Sequence, residues 1–477
     1  MLFCTNTNGS KINVRVAVLI LRNFNTKKPY FDTSNMYHSI KFKMTGSKTM
    51  IILSILLGLM RVNAQVQVEN SIEKQQENLE DLYIGLHQSP ELSFMEFNTA
   101  KKLAGELKSL GFEVHEGIGG NTLVGLFHNG EGPVVMVRTD LDALPIEEKT
   151  GLPFSSTVIT ADQQGNQVAA MHACGHDMHM TVWTGTARVM VDLRDQWSGT
   201  LMMIAQQAEE RSGGAKNALE AGLYEKFPVP DCALAYHVSE RLPSGTIGYR
   251  SGPIMAGVSS VDITVYGEGG HGAQPDRTID PVVLAARLIL DIQTIVSREL
   301  SPLQPAVVTV GSIHGGTKHN IIPEEVKLQL TIRYYDDSVG QQIISALRRI
   351  GNGLAASAGL PPEKYPQVVV QDESTPPVIN DPDLTNRLVP FLTSALGNEH
   401  IIEMEPLMVG EDFGRYGLTA EQVPICLMWL GSIQPQKFSS GEPIPGLHTA
   451  YYYPDYPATI RTGVKGMVSM LLNLLHP

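Results

Sequence analysis

Between residues 70 and 110 apolar side chains recur at three- and four-residue spacing. Leu79, Leu82 and Leu86 are followed by Leu103, Leu107 and Leu110, a helical pattern that Gly111 ends. The period then shortens. Residues 123–127 and 133–138 are apolar runs bounded by Gly or Asn, which predicts buried strands, and 200–205 repeats that pattern after a helix over 180–193. Strands alternating with helices predict an α/β layer with a mostly parallel sheet. The middle of the chain differs. A strand over 261–266, a helix over 281–298 opened by Pro281, strands over 306–313 and 326–334, a helix over 339–358 and a strand over 365–371 follow in order. That β-α-β-β-α-β order predicts a ferredoxin-like α+β insertion. Helices over 384–396 and 458–475 and a strand over 425–429 return to α/β character. The expected organisation is an N-terminal extension with a signal peptide over 1–64, an α/β domain in two parts over 65–255 and 373–477, and the inserted domain over 256–372.

Composition narrows the function classes. Over 477 residues, 36 Lys+Arg face 49 Asp+Glu, a formal charge of −13, which argues against a nucleic-acid partner. Four cysteines (Cys4, Cys174, Cys232, Cys426) are too few and too scattered for a disulfide scaffold. Lys41, Lys43 and Lys48 precede an apolar stretch from Met50 to Met60, and Val62-Asn63-Ala64 is a small-residue cleavage pattern. That order predicts export after a cut near Ala64, with Met44 the better start for such a signal; the alternative is a buried helix with a basic flank. The stretch is too short for a stable membrane span.

Four stretches hold most of the chemistry. Asp140 and Asp142 follow the 133–138 strand, where open α/β sheets place their sites, although strand-ending aspartates also make turns and caps. Within Met171–His179 stand His172, Cys174, His176, Asp177 and His179, a dense set of transition-metal ligands, and Gly175 lets the backbone turn between Cys174 and His176. A structural zinc site would need a second ligand pair, and no C-x-x-C partner exists. Glu209 and Glu210 follow another apolar strand, where one carboxylate can bind metal while the other moves protons. His237 and His448 stand alone, as do His271 in Gly269-Gly270-His271-Gly272, Asn320 beside His319, and Arg333 at a strand end. Spacing by itself leaves these as turn residues, structural histidines or surface charges.

Taken together, Arg138-Thr-Asp-Leu-Asp-Ala-Leu-Pro, Met171-His-Ala-Cys-Gly-His-Asp, Ala208-Glu-Glu, Gly270-His-Gly-Ala, Asn320-Ile-Ile-Pro, Gly410-Glu-Asp-Phe and Leu447-His-Thr resemble, in order, the co-catalytic metallohydrolases of the aminoacylase and carboxypeptidase type. The resemblance runs from about residue 72 to the C-terminus and is greatest to the subfamily of hippurate hydrolases, bacterial N-acyl-amino-acid amidohydrolases and plant auxin-conjugate hydrolases. It implies a zinc-peptidase-like catalytic domain carrying two divalent ions per subunit, manganese or zinc. Their ligands would be Cys174 (the bridge), His176, Glu210, His237 and His448, with Glu209 as general base and Asp142 as its orienting carboxylate or a ligand. His271 and Asn320 would polarise the scissile carbonyl from a lid that reaches a partner subunit in a homodimer, Arg333 would hold a substrate carboxylate, and Glu411 and Asp412 would support His448. Peptidase relatives carry a metal-binding His at the position of Asp140 and an Asp in place of Cys174, which sets this chain with amidohydrolases of small N-acyl amino acids. Gln274-Pro275-Asp276, where the subfamily has a His after the Pro, and Arg211-Ser212, where it has a Gly-rich run, are departures that bear on specificity. An exported dipeptidase or carboxypeptidase on the same scaffold and a non-catalytic metal-containing binding protein are the competing readings.

Overall fold

The computed structural model describes residues 2–5, 11–14 and 46–476, with side chains over 65–476. The chain forms two units, Met1–Leu59 and Met60–Pro477. In the first, Leu2–Thr5 pairs antiparallel with Lys11–Val14. The expected export signal falls where side chains lie outside the described residues. Among the described residues, no helix is long and apolar enough to cross a membrane.

The second unit is built on an eight-stranded sheet. Its four inner strands, Ile425–Ile433, Cys232–Pro243, Val134–Asp140 and Gly199–Gln206, run parallel in that order. Leu123–Asn129 and Glu113–His115 extend one edge antiparallel. Ile247–Tyr249 and Ile401–Glu403 extend the other. Every residue of Gly199–Gln206 and Ile425–Ile433 is buried, as expected when both faces of a sheet are covered. Strand alternation then divides the core in two. Val135, Val137, Leu201 and Met203 face helices Phe97–Ser109, His176–Asp192 and Tyr456–Leu474, while Met136, Met202 and Ile204 join Phe413 and Tyr416 on the opposite face.

Helix His176–Asp192 starts four residues before the apolar period that announced it at Met180. Its opening residues are polar, so periodicity misses them. Gly175, at φ 77°, turns the chain into the helix, and Asp177 in the first turn accepts the Met178 N–H at 2.8 Å. A candidate ligand therefore sits on the helix end itself.

Residues 257–370 carry a separate four-stranded antiparallel sheet in the order Ala306–Gly315, Glu325–Tyr334, Gly257–Tyr266, Gln367–Val370. This is the ferredoxin-like arrangement that the sequence order predicts. Gly257–Tyr266 alternates buried and half-buried, and its inner face packs on helices Pro281–Thr294 and Asp337–Ser357 through Ile263, Leu288, Ile343 and Leu347. The chain leaves and re-enters the large sheet at one place, where Val258 and Thr375 exchange both backbone hydrogen bonds at 2.9 Å. That crossing brings one end of the small sheet to the C-terminal ends of the parallel strands.

Candidate metal centre

The site is assembled from loops leaving the parallel strands. Asp140 ends its strand and Asp142 follows it; Glu209 and Glu210 follow Gly199–Gln206; His237 lies within Cys232–Pro243. Cys174 arrives from the loop before the helix. A Cβ on Gly175 would lie 2.6 Å from a Val238 methyl, so only glycine lets that loop approach the strand. The loop of His448 is tied to it by a backbone bond from His448 N–H to the Ala173 carbonyl at 2.9 Å. Ala208 and His448 both hold positive φ, 48° and 61°, backbone strain of the kind that concentrates at functional sites. The Ala208 turn is secured by its N–H donating to Glu96 Oε1 at 2.8 Å.

Asp142 accepts the N–H groups of Glu209 and Glu210 at 3.1 and 3.0 Å and the Ser93 hydroxyl at 2.6 Å. Its carboxylate thereby fixes the turn that presents both glutamates. It also lies 3.4 Å from His176 Nδ1, so it orients a neighbouring imidazole as well.

The five ligand candidates converge. Cys174 Sγ is 3.5 Å from His237 Nε2 and 3.1 Å from His448 Nε2. His448 Nε2 is 3.3 Å, and His176 Nε2 3.8 Å, from Glu210 Oε1. Cys174 belongs to two compact ligand triads, one with His176 and His237 and one with Glu210 and His448, each with donor atoms within 4.8 Å of one another. His237 Nδ1–H donates to the Val238 carbonyl at 2.8 Å, leaving Nε2 bare toward the thiol. The residues fit divalent metal on a direct structural ground. Both ring nitrogens of His176 and Glu210 Oε1 are buried without a hydrogen bond, with Asp142 3.4 Å and His448 3.3 Å away as their nearest polar neighbours, and a divalent cation would satisfy such atoms.

Electrostatics agree. Burial, reinforced by Glu210 and Glu209, pushes the Cys174 thiol well above its usual range, and a cation is what turns such a thiol into a thiolate. Burial holds His237 well below its ordinary value, hence neutral and ligand-ready. Burial opposes charge on His176, but Asp140, Asp142 and Glu210 overcome it and raise the imidazole to about 10. A metal ion would take the place of that proton. Glu209 is raised well above the carboxylate range by burial and by Glu411, Glu210 and Asp412, so it binds a proton more firmly than an ordinary carboxylate does.

Behind the ligands lies Arg138, fully buried. It donates to Asp140 Oδ2 at 2.7 Å, Glu411 Oε1 at 2.9 Å, Asp412 Oδ1 at 3.1 Å and Gln206 Oε1 at 3.1 Å. Glu411 and Asp412, expected to support His448, direct their carboxylates at this guanidinium instead, because a buried cation needs its charge returned locally. His179 bonds Asp140 Oδ1 at 2.7 Å through Nδ1 and accepts the Val238 N–H at 2.8 Å through Nε2, so neither nitrogen is left for a metal. Sequence reasoning counted His179 among the imidazoles without giving it this role.

A cleft of about 500 Å³ opens over the ligands, lined by Glu209, Glu210, His448 and, from the small sheet, Arg333. His271 and Asn320 do not line it. They share an exposed two-stranded ribbon, Gly270–His271 with Ile321–Ile322, where Gly272 N–H donates to the Asn320 carbonyl at 2.9 Å. Asp276 lies in the exposed turn Pro275–Arg277, and Arg211 pairs with Glu373.

Thiol, imidazoles and carboxylates gathered at the ends of a parallel sheet, under a cleft shared with an inserted sheet, define a metallohydrolase. The family model described as Peptidase family M20/M25/M40 matches residues 136–473, and the chain belongs to that family. It is 36% identical over 356 residues to thermostable carboxypeptidase 1 of Saccharolobus solfataricus, covering 74% of this chain and 85% of that protein. It is 35% identical over 391 residues to N-acetyldiaminopimelate deacetylase of Limosilactobacillus reuteri, covering 81% and 95%. A solved Bacillus subtilis structure, described as a dinuclear metal binding peptidase from the M20 family, superposes with a TM-score of 0.68 at 28% identity over 84% of this chain and 99% of that one. The resemblance to metallohydrolases and the α/β fold expected from the sequence are thereby borne out.

Arg138→Met strands three buried carboxylates and is expected to destabilise the protein by about 3–5 kcal/mol. Denaturant unfolding of the purified variant checks this, and wild-type stability would show that the cluster carries no such load.

Proposed function

We propose that the protein is a metal-dependent amidohydrolase that splits N-acyl amino acids into a carboxylic acid and a free amino acid. The observation that carries this is Cys174 standing in both ligand triads with Glu209 beside them, its Oε2 3.9 Å from His176 Nε2. Two divalent ions, zinc or manganese, are the cofactor this arrangement calls for, and Cys174, His176, Glu210, His237 and His448 would hold them. When bound, they supply Lewis-acid activation of water and of the scissile carbonyl.

The chain's own groups do the rest. Glu209 takes a proton from the attacking water and delivers it to the leaving nitrogen as the C–N bond breaks, which releases the acid and the amine. Its raised proton affinity suits both halves of that transfer. Arg333 is half-buried at the cleft, and the donors that bond within the chain reach only Thr331 and the Ile332 carbonyl. Its charge is therefore free to pair with the substrate carboxylate. Asp142 keeps Glu209 aimed through the backbone bonds already described. His271 and Asn320, remote from the cleft of their own chain, act as carbonyl-polarising groups in the site of a second copy, which makes the working enzyme a homodimer. Export rests on the sequence of residues 41–64 alone.

Free-amine release from N-acetyl-, N-benzoyl- and N-indoleacetyl-amino acids, set against simple dipeptides, tests the reading. Cleavage confined to dipeptides would make the chain an exopeptidase, in line with its carboxypeptidase relative, and silence of the metal-loaded protein would favour a binding role. Glu209→Gln is expected to keep its metal while turnover falls about 10²–10⁴-fold; metal analysis and initial rates check it, and near-normal turnover removes Glu209 as the base. The dimer has a separate test. Glu209→Gln and His271→Ala, each inactive alone, are expected to recover about a quarter of wild-type activity when co-expressed, since half of the dimers are mixed and each holds one intact site. No recovery would place His271 in its own chain's reaction, and an active His271→Ala would place it outside the reaction.

A further inference from the structure

Outside the ligand cluster, one buried charge network takes no part in the proposed reaction. His87 is the last residue of helix Gly46–His87, and it is 1% exposed. Its Nδ1 lies 2.7 Å from Asp177 Oδ2 and its Nε2 3.2 Å from Glu148 Oε1. With a carboxylate on each nitrogen, both must donate, so the ring is an imidazolium. Burial opposes that charge, but Asp177 and Glu148 prevail and raise His87 to about 10. The cation caps the C-terminal end of one helix and the anion Asp177 the N-terminal end of another, so both helix dipoles favour the pair. Tyr83 and Phe154 close over the imidazole at 5.7 and 5.5 Å between ring centroids and keep water out.

The partners explain why this matters for the metal centre. Asp177 directly follows His176, and Cys174 lies two residues before that. Glu148 belongs to a loop that it also organises, accepting the Ser156 N–H at 2.5 Å and the Thr150 hydroxyl. The same loop is joined to the segment ahead of Cys174, where Leu144 and Met171 exchange backbone bonds at 3.0 Å. The stretch that carries two ligands is thus held at its front by the Leu144–Met171 bridge and at its back by His87.

We propose that His87 is a positioning residue for the metal centre, fixing the helix end that carries His176 through its bond to Asp177 and drawing the Glu148 loop onto the same point. It touches neither metal nor substrate. The inference rests on the metal-dependent reading above.

The test measures metal binding directly in the full chain. Divalent-ion affinity is read by chelator competition with zinc, and ligand geometry by the visible spectrum of the Co(II)-substituted protein. Because His87→Phe alone strands two buried carboxylates, it is combined with Glu148→Gln and Asp177→Asn, which leaves the pocket neutral. The triple variant is expected to unfold cooperatively, to bind zinc about tenfold more weakly and to show a shifted Co(II) spectrum. His87→Gln keeps one donor toward Asp177 and should weaken binding by a smaller factor, about threefold. Either variant, folded but with zinc affinity and Co(II) spectrum unchanged, overturns the proposal. A wild-type protein that binds no divalent ion overturns the metal-dependent reading itself, and the two failures are distinguishable.

Discussion

A single guanidinium, that of Arg138, is buried at the C-terminal edge of the central sheet among three carboxylates. Asp140, Glu411 and Asp412 come from segments more than 270 residues apart, so the pairing joins the two parts of the α/β domain on either side of the inserted sheet. Its geometry is saturated: Gln206 takes the remaining N–H, and Tyr416 and Asp412 in turn bond Gln206. A cation buried this way cannot shift without exposing unpaired charge, and that rigidity passes to everything bonded to it. Asp140 holds His179, His179 holds the backbone at Val238, and the Val238 carbonyl holds His237.

One positive charge does not balance the acids around it. Burial, with Asp412 and Asp140 adding to it, lifts Glu411 to about 7 despite Arg138, and Asp412 is raised by burial as well. Glu209, Glu210 and Asp142 add further negative charge a few ångströms away, where the low dielectric magnifies it. The protein by itself answers by raising the proton affinity of His176, Glu209 and Glu411. Divalent cations answer the same field with more charge per site, and they satisfy the unpartnered atoms of His176 and Glu210 at the same time. The cleft above is therefore electrostatically incomplete in a way that points to metal rather than to an organic cation.

Much of this was legible in the chain. The parallel strands are buried on both faces and so read as continuous apolar runs, and the small sheet announced itself through helix and strand periods in the right order. The Cys174–His176 pair was legible because its ligands are packed into one short stretch. His237 and His448 are isolated in sequence, and only the ordered motifs of the resemblance brought them forward; convergence is a property of the fold that spacing does not encode. The start of helix His176–Asp192 carries no hydrophobic period, because His176, Asp177 and His179 are buried polar groups. The destination of Glu411 and Asp412 was misjudged for a related reason: the demand for them comes from Arg138, a residue distant in sequence whose burial is invisible until the sheet is assembled.

Asp140 shows how one residue distributes roles across such a site. It stands with His176 and His179 in a triad close enough to hold an ion, yet both of its oxygens are spent, one on His179 and one on Arg138, and both nitrogens of His179 are spent as well. Asp140 and His179 form a closed hydrogen-bonded relay, whereas His176, the third member of the triad, and Glu210 retain bare atoms. A carboxylate at position 140 therefore serves as a positioning group, tying Arg138 to His179. The sulfur of Cys174 stands in two of the other four ligand groups, one with His176 and His237 and one with Glu210 and His448. A thiolate there would bring full charge and a softer donor than an all-oxygen and imidazole set to a divalent ion.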